Sequence, residues 1–268
     1  MAQAAREAGA LTAAHFGKSV KTWSKGAAGP VTEIDLAVDA LLKERLGSAR
    51  PDYGWLSEET ADNPERLEKS RVWIVDPIDG TEAFIKGIPQ YTISIGLAEA
   101  GRPFAGVVYN PITDEMFEGG EGAPAKLNDA PMQASQTNEL EGARIIGRPR
   151  VFEAHRWDEP WPHLELGWRH SIAYRLALVA AGKFDATILL GFKNEWDIAG
   201  GAAIILAAQG TVTESSGAAL KLNRADPRSV GLIAAGPALH PLLIERVQHV
   251  PHPSEWGPQG WRKAKQGA

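Results

Sequence analysis

The 268-residue chain contains no cysteine, so disulfides, thiolate metal sites and cysteine nucleophiles are excluded, and a reducing compartment suits it. It also lacks an excess of positive charge. With 28 Lys and Arg against 33 Asp and Glu, the formal net charge is -5, which argues against nucleic acid as a partner but allows a local pocket for one small anion. Long apolar runs are missing too: Ala202 to Ala208 is representative, far short of the roughly 20 residues that cross a bilayer. Arg6 and Glu7 have no apolar run behind them, so neither a signal peptide nor a membrane partner is expected, and the expected location is cytoplasmic. There is no Walker loop, no His-Glu-x-x-His pair and no G-x-S-x-G elbow. Gly120 to Ala125 fits G-x-G-x-x-A in letters only, because Pro124 interrupts it and hairpin-like sequence follows where a helix is needed.

What is present is 44% hydrophobic and 23% charged, with 28 Gly and 18 Pro. That is the composition of an ordered protein with enough apolar material for one large domain or two small ones sharing an interface. Ile34, Val38, Leu41, Leu42 and Leu46 recur at helical spacing behind Thr32 and stop at Gly47; Ala2 to Phe16 also reads as helix. Val72 to Val75 reads as a buried strand that must turn at Asp76-Pro77, since proline cannot donate to a sheet ladder. Thr92 to Ala98, Phe104 to Tyr109 and Glu115 to Glu118 form a predicted antiparallel meander, followed by a hairpin around Asn128-Asp129. Helix and strand then alternate through Ile172 to Ala181, Ala186 to Leu190, Ile198 to Ala208, Thr211 to Glu214 and Leu232 to Ala235. The expected fold class is α/β, with an α+β N-terminal half over 1–135 and an α/β C-terminal half over 136–268. Val250 to Ala268 is expected to be loosely ordered.

The strongest chemical signal is Asp76-Pro77-Ile78-Asp79-Gly80-Thr81. In a continuing regular strand Asp76 and Asp79 would face opposite sides, whereas a turn lets both converge on one point. Hard divalent cations such as Mg2+ take such oxygen clusters, carboxylates together with a backbone carbonyl. A helix beginning at Gly80-Thr81 would aim free amides at a phosphate beside them. Together these features describe metal-assisted chemistry on a phosphate ester.

This string resembles the hallmark of the inositol monophosphatase superfamily, and three further segments agree with that family in order. Val31-Thr32-Glu33-Ile34-Asp35 is similar to its Val-Thr-x-x-Asp, and Trp55 to Thr60 to its paired-glutamate segment. Glu195-Trp196-Asp197-Ile198-Ala199-Gly200-Gly201 is similar to its Trp-Asp-x-Ala-Gly. Alone, each has a plainer use: Thr32 and Asp35 as a capping box, Glu58-Glu59 as a solvated acidic pair, Asp197 as an acid complementing a helix dipole. Gly200-Gly201 near a helix start costs roughly 1 kcal/mol per residue relative to alanine, which a close approach by backbone or ligand would explain.

The resemblance implies a layered αβαβα sugar-phosphatase sandwich and a Mg2+-dependent phosphoric monoester hydrolase using two or three ions. It implies Glu58, Asp76, the Ile78 carbonyl, Asp79 and Asp197 as metal ligands. Asp35 and Thr81 would orient and deprotonate the attacking water, with Glu58 taking part, and the amides of Gly80 and Thr81 would bind phosphate. Lys193, Asn194 and Glu195 are the expected specificity residues, Lys193 being equally readable as a solvated charge. The substrate is expected to be a small phosphate ester and the assembly a homodimer.

Subgroup cues divide. Leu56-Ser57-Glu58-Glu59 and the run ending Phe84-Ile85-Lys86 look like the bacterial 3'(2'),5'-bisphosphate nucleotidases, and Ala199-Gly200-Gly201 looks like the inositol enzymes. An inositol-monophosphatase-like activity leads; 3'-phosphoadenosine 5'-phosphate and histidinol phosphate are alternative substrates, and a catalytically silent scaffold of the same fold is the rival from another class. The seven His are expected to be surface or structural, and the Trp-rich stretch 149–170 matches no motif.

Overall fold

The computed structural model describes residues 1–26 and 29–256. Its first layer is a helix pair, α1 (Ala2–His15) and α2 (Glu33–Ala49), separated by a two-stranded hairpin of β1 (Thr22–Ser24) and β2 (Pro30–Thr32). A capping box starts α2: the Thr32 hydroxyl accepts from the Ile34 and Asp35 amides while the Asp35 carboxylate accepts from the Thr32 amide. The helix passes the predicted stop at Gly47 and ends at Ala49.

The second layer is a seven-stranded sheet of β3 (Gly54–Ser57), β4 (Arg71–Asp79), β5 (Thr92–Glu99), β6 (Arg102–Asn110), β7 (Glu115–Gly120), β8 (Ala123–Leu127) and β9 (Ala130–Pro131), in that order. The short helix α3 (Thr81–Ile85) follows β4. Only β3 and β4 run parallel; the rest is the expected meander and hairpin. A five-stranded sheet has the order β11-β10-β12-β14-β13, built from β10 (Arg144–Ile146), β11 (Glu165–Gly167), β12 (Ala186–Asn194), β13 (Thr211–Thr213) and β14 (Arg228–Ala235). Between the sheets lie α4 (Ile172–Ala180) and α5 (Glu195–Ala207), and α6 (His240–Val247) packs on β14. The expected αβαβα layering is what the chain forms.

The sequence carried α5 and the meander well because both are long and strongly patterned. It missed β3, β10, β11 and α6: the three strands have three or four residues each, too few for a period to register. In the 250–256 part of the expected loose tail there is one short turn, Pro253–Glu255, and Trp256 packs against the cluster holding Leu243 and Val247. The rest of that tail lies outside the described residues.

One expectation needs correcting. The strand at Val72–Val75 does not turn at Pro77 but runs on to Asp79. Asp76 pairs with Ser94 and Asp79 with Thr92, so three steps along β4 match two along β5. This bulge has no ladder place that Pro77 would spoil. It also rotates Asp79 back onto the face of Asp76, the face that looks at α4 and α5, because cross-strand partners point the same way.

Helix α5 sits unusually close to that face. A Cβ on Gly106 of β6 would come within 2.0 Å of the Gly200 carbonyl, and one on Gly201 within 2.4 Å of Leu176 of α4. A Cβ on Gly200 itself would lie 3.0 Å from the Ser94 hydroxyl of β5, so one helical glycine is explained by the approach of the sheet and the other by the packing of α4 against α5.

Candidate active site

Both sheets direct the carboxyl ends of their parallel strands to one crevice. From the first come Glu58, just past β3, and Asp76 to Asp79 at the end of β4; the Glu58 amide bonds to Val75 and keeps the two strand ends level. From the second come residues following β10 and β11 and the end of β12. Asp197, in the first turn of α5, completes the meeting point. The cavity there has a volume of about 520 Å³.

Asp76, Asp79 and Asp197 each place a carboxylate oxygen within 4.8 Å of the others. Asp76 and Asp79 are buried, and Asp79 anchors one oxygen on the start of α4, accepting from the Ser171 hydroxyl at 2.7 Å and from the Ala173 amide. Asp76 accepts from the Ile78 amide at 3.0 Å, which closes the bulge. Burial, and then repulsion from Glu58, Asp79, Asp197 and Asp35, holds the Asp76 carboxyl well above the usual carboxylate range. Asp197 is raised well above it in the same way, by burial and then by Asp79 and Glu58, with Lys193 opposing. Burial raises Asp79 as well, against hydrogen bonds from Ser171, Ala173 and Ile172. Hard oxygen donors gathered so closely, and each resisting ionisation, suit a divalent cation.

Glu58 lines the same cavity, but its carboxylate is engaged by Lys25 at 2.8 Å, and Lys25 also reaches Glu59 at 2.8 Å. Burial raises the Glu58 carboxyl and Lys25 opposes the rise. Asp35 lies behind the cavity wall. One of its oxygens is held by Thr32, and the other accepts from the Thr81 hydroxyl at 3.1 Å. Thr81 is equally near the Ile78 carbonyl, at 3.1 Å, so its single proton is shared between two acceptors. Burial raises the Asp35 carboxyl. Gly80 has φ +97°, and a Cβ there would lie 3.2 Å from the Gln90 carbonyl, so glycine is required where the bulge turns into α3. Gly80 and Thr81 line the cavity, with first-turn amides that have no partner within the helix.

Two predicted specificity residues sit differently from expectation. Glu195 is fully buried, and its carboxylate accepts from the Asn223 and Arg224 amides at 2.6 and 2.9 Å, fastening a loop away from the cavity. Lys193 does line the cavity, yet its ammonium donates to the carbonyls of Leu190, Gly191 and Phe192, so it is neither a solvated charge nor a free donor. Asn194 lines the cavity. Sequence reasoning passed over Arg148, Trp168, His170 and Arg175, all of which line it. A signal for Trp168 existed in the density of tryptophans between 149 and 170, but Trp157 and Trp161 in the same stretch belong to the apolar cluster that holds Ile145 and Leu243 and stand outside the cavity lining.

The model of the inositol monophosphatase family matches residues 1–252. The chain belongs to that family. Its members related to this chain include inositol monophosphatase 1 of Solanum lycopersicum, 33% identical, with 91% of this chain and 92% of that protein covered. Another is Nus factor SuhB of Xylella fastidiosa, 31% identical over 87% of this chain and 88% of that protein. Among solved structures, the extragenic suppressor protein suhB from Bartonella henselae superposes with a TM-score of 0.78 at 29% identity, covering 92% of this chain and 96% of that one. Membership makes the protein a phosphoric monoester hydrolase, and it agrees with the layered α/β fold. Among the described residues no helix is long and apolar enough to cross a membrane.

Proposed function

We propose that the protein is a Mg2+-dependent phosphomonoesterase that hydrolyses a small phosphorylated polyol or nucleotide, in the manner of an inositol monophosphatase. The observation that carries this reading is the convergence of Asp76, Asp79 and Asp197 within 4.8 Å in a cavity that Thr81 also lines. Asp76, Asp79, Asp197, Glu58 and the Ile78 carbonyl would hold two or three ions. Bound Mg2+ would cancel the carboxylates' repulsion of an anionic ester and polarise its phosphoryl oxygens.

The chain's own groups do the rest. The amides of Gly80 and Thr81 hold the phosphate at the start of α3. A water hydrogen-bonded to the Thr81 hydroxyl gives up its proton to that oxygen as it attacks phosphorus, and Thr81 passes its own proton to Asp35; the ester P–O bond opposite the water breaks, and the departing alkoxide takes a proton from solvent water. Burial makes Asp35 more basic than an exposed carboxylate, which favours this transfer. A homodimer and a cytoplasmic location belong to the same reading.

The test is phosphate release from inositol 1-phosphate, adenosine 3',5'-bisphosphate and histidinol phosphate, with Mg2+ and with a chelator. Release that needs Mg2+ and falls at least about a hundredfold in Asp79→Asn, with an unchanged circular dichroism spectrum, supports the reading. Equal rates in chelator, or no release from any ester, overturn it in favour of a silent scaffold.

A further inference from the structure

Strand β12 supplies Ile188, Leu189, Leu190, Lys193 and Asn194 to the cavity, and between Leu189 and Phe192 its pairing with β14 shifts register. Gly191 lies in that bulge with φ +79°, a left-handed backbone that glycine adopts without steric cost. Around it the Lys193 ammonium donates to the carbonyls of Leu190, Gly191 and Phe192 at 2.9, 3.3 and 2.9 Å. An ammonium has three protons, so all of them are committed to the bulge. Where the bulge goes, Lys193 goes with it.

The C-terminal segment lies on this bulge. A Cβ on Gly191 would come within 3.0 Å of Cζ3 and 3.3 Å of Cη2 of Trp256, with Lys193 Nζ 3.9 Å away. The indole thus sits against bare backbone, in the space that any larger residue at 191 would fill. The ring is itself held: its Nε1 donates to the Pro251 carbonyl at 2.8 Å, and the Trp256 amide donates to the Pro253 carbonyl at 3.2 Å. It also packs against the apolar cluster of Ile145, Ile188 and Leu243, as does Leu190 of the cavity wall. His252 adds a second contact from the same segment, its ring edge-on to Phe192 at 5.5 Å.

This contact differs from ordinary packing of a chain end in two ways. Trp256 lies beyond residues 1–252, the stretch that carries the family match, so the family assignment does not supply it. The backbone it covers is no part of the apolar filling; it is the bulge that sets where Lys193 and Asn194 stand in the cavity lining. A packed indole can bury roughly 150–250 Å2, enough to favour one conformation of a bulge that its own ladder leaves unpaired. Asp35, Asp76, Asp79 and Thr81 stand on α2, β4 and α3, elements that neither aromatic contact touches.

We infer that Trp256 is a positioning residue: seated on Gly191, it holds the β12 bulge and with it Lys193 and Asn194, and so shapes the wall that receives the part of the ester beyond its phosphate. The phosphatase reading enters only through the molecule that fills the cavity.

Lys193 reports the strap directly. Full-length protein is acetylated briefly with acetic anhydride and followed lysine by lysine by mass spectrometry, with the exposed Lys69 as internal reference. Relative to Lys69, Lys193 should react about tenfold faster in Trp256→Ala than in the parent, while Trp256→Phe, which keeps a ring over Gly191, should stay within about twofold of it. On whichever ester is turned over with Mg2+, Trp256→Ala should raise KM about fivefold or more with kcat within about twofold, and Trp256→Phe should restore KM. Were the alanine variant not to fold, Trp256→Leu, which keeps apolar bulk but no flat ring, carries the same expectations. Labelling of Lys193 that does not quicken overturns the strap. Labelling that quickens while KM stays put, or a loss carried by kcat alone, overturns its role at the site. If no ester is turned over, the phosphatase reading fails by itself, and the labelling ratio alone decides whether Trp256 holds the bulge.

Discussion

Single carboxyl groups carry most of this molecule's electrostatic tension. Glu58, Asp76, Asp79 and Asp197 are all raised, chiefly by burial. An acid whose folded value lies above its unfolded one holds its proton longer in the folded state. Its contribution is therefore present below the ordinary carboxylate range near pH 4 and is lost as pH climbs through the raised values. Metal-free protein should accordingly melt at progressively lower temperature as pH rises from about 4 toward neutrality, and added Mg2+ should raise the midpoint far more at pH 8 than at pH 5. Differential scanning fluorimetry across that range checks both slopes; a Mg2+ effect independent of pH would contradict the assignment of these acids as ligands. At this scale the sequence was informative wherever residues close in the chain act together, as in Asp76 to Thr81. It was silent on Arg148 and Arg175, which lie apart in the chain and meet only over the Trp168 ring. Glu195 sits among Lys193, Asn194 and Asp197, which line the cavity, while its own carboxylate turns to the loop at Asn223.

The elements position the site through two local irregularities, the bulge in β4 and the close seat of α5. Gly106 is the sharper test of the second. Replacing it with alanine would drive a methyl into the Gly200 carbonyl, 2.0 Å away, and neither backbone can yield without shifting a layer. The expected cost is about 3 kcal/mol, read as a lowered denaturation midpoint, with activity falling because Asp197 rides on the displaced helix. A stability loss near zero would mean that α5 is not pinned there. Long elements with a clear period were readable from the sequence, and even the glycine pair in α5 was noticeable as an unexplained cost. The bulge was not, because Pro77 signals a strand end by the ordinary rule, and only the partner register shows the strand passing through it.

At the scale of the whole molecule the two sheets share their filling. One apolar cluster joins Leu56, Val72, Ile74 and Phe117 of the first sheet to Leu176, Ile198 and Ala202 of the intervening helices and to Leu189 and Leu232 of the second sheet. Neither sheet can lose its neighbour without exposing that shared surface, so thermal unfolding should appear as one transition, with coincident curves from tryptophan fluorescence and far-ultraviolet dichroism. Two separated transitions would show that the sheets stand independently.

Asp197 arrives on a helix, and Asp76 and Asp79 on a strand of the opposing layer, which makes their encounter a caliper for how squarely the layers are stacked. A slip of one ångström between layers would hardly disturb the apolar filling, yet it would open the jaws of the caliper and blunt turnover. Catalytic competence should thus be the first property to fade under mild stress, while the scaffold still looks intact to every bulk probe.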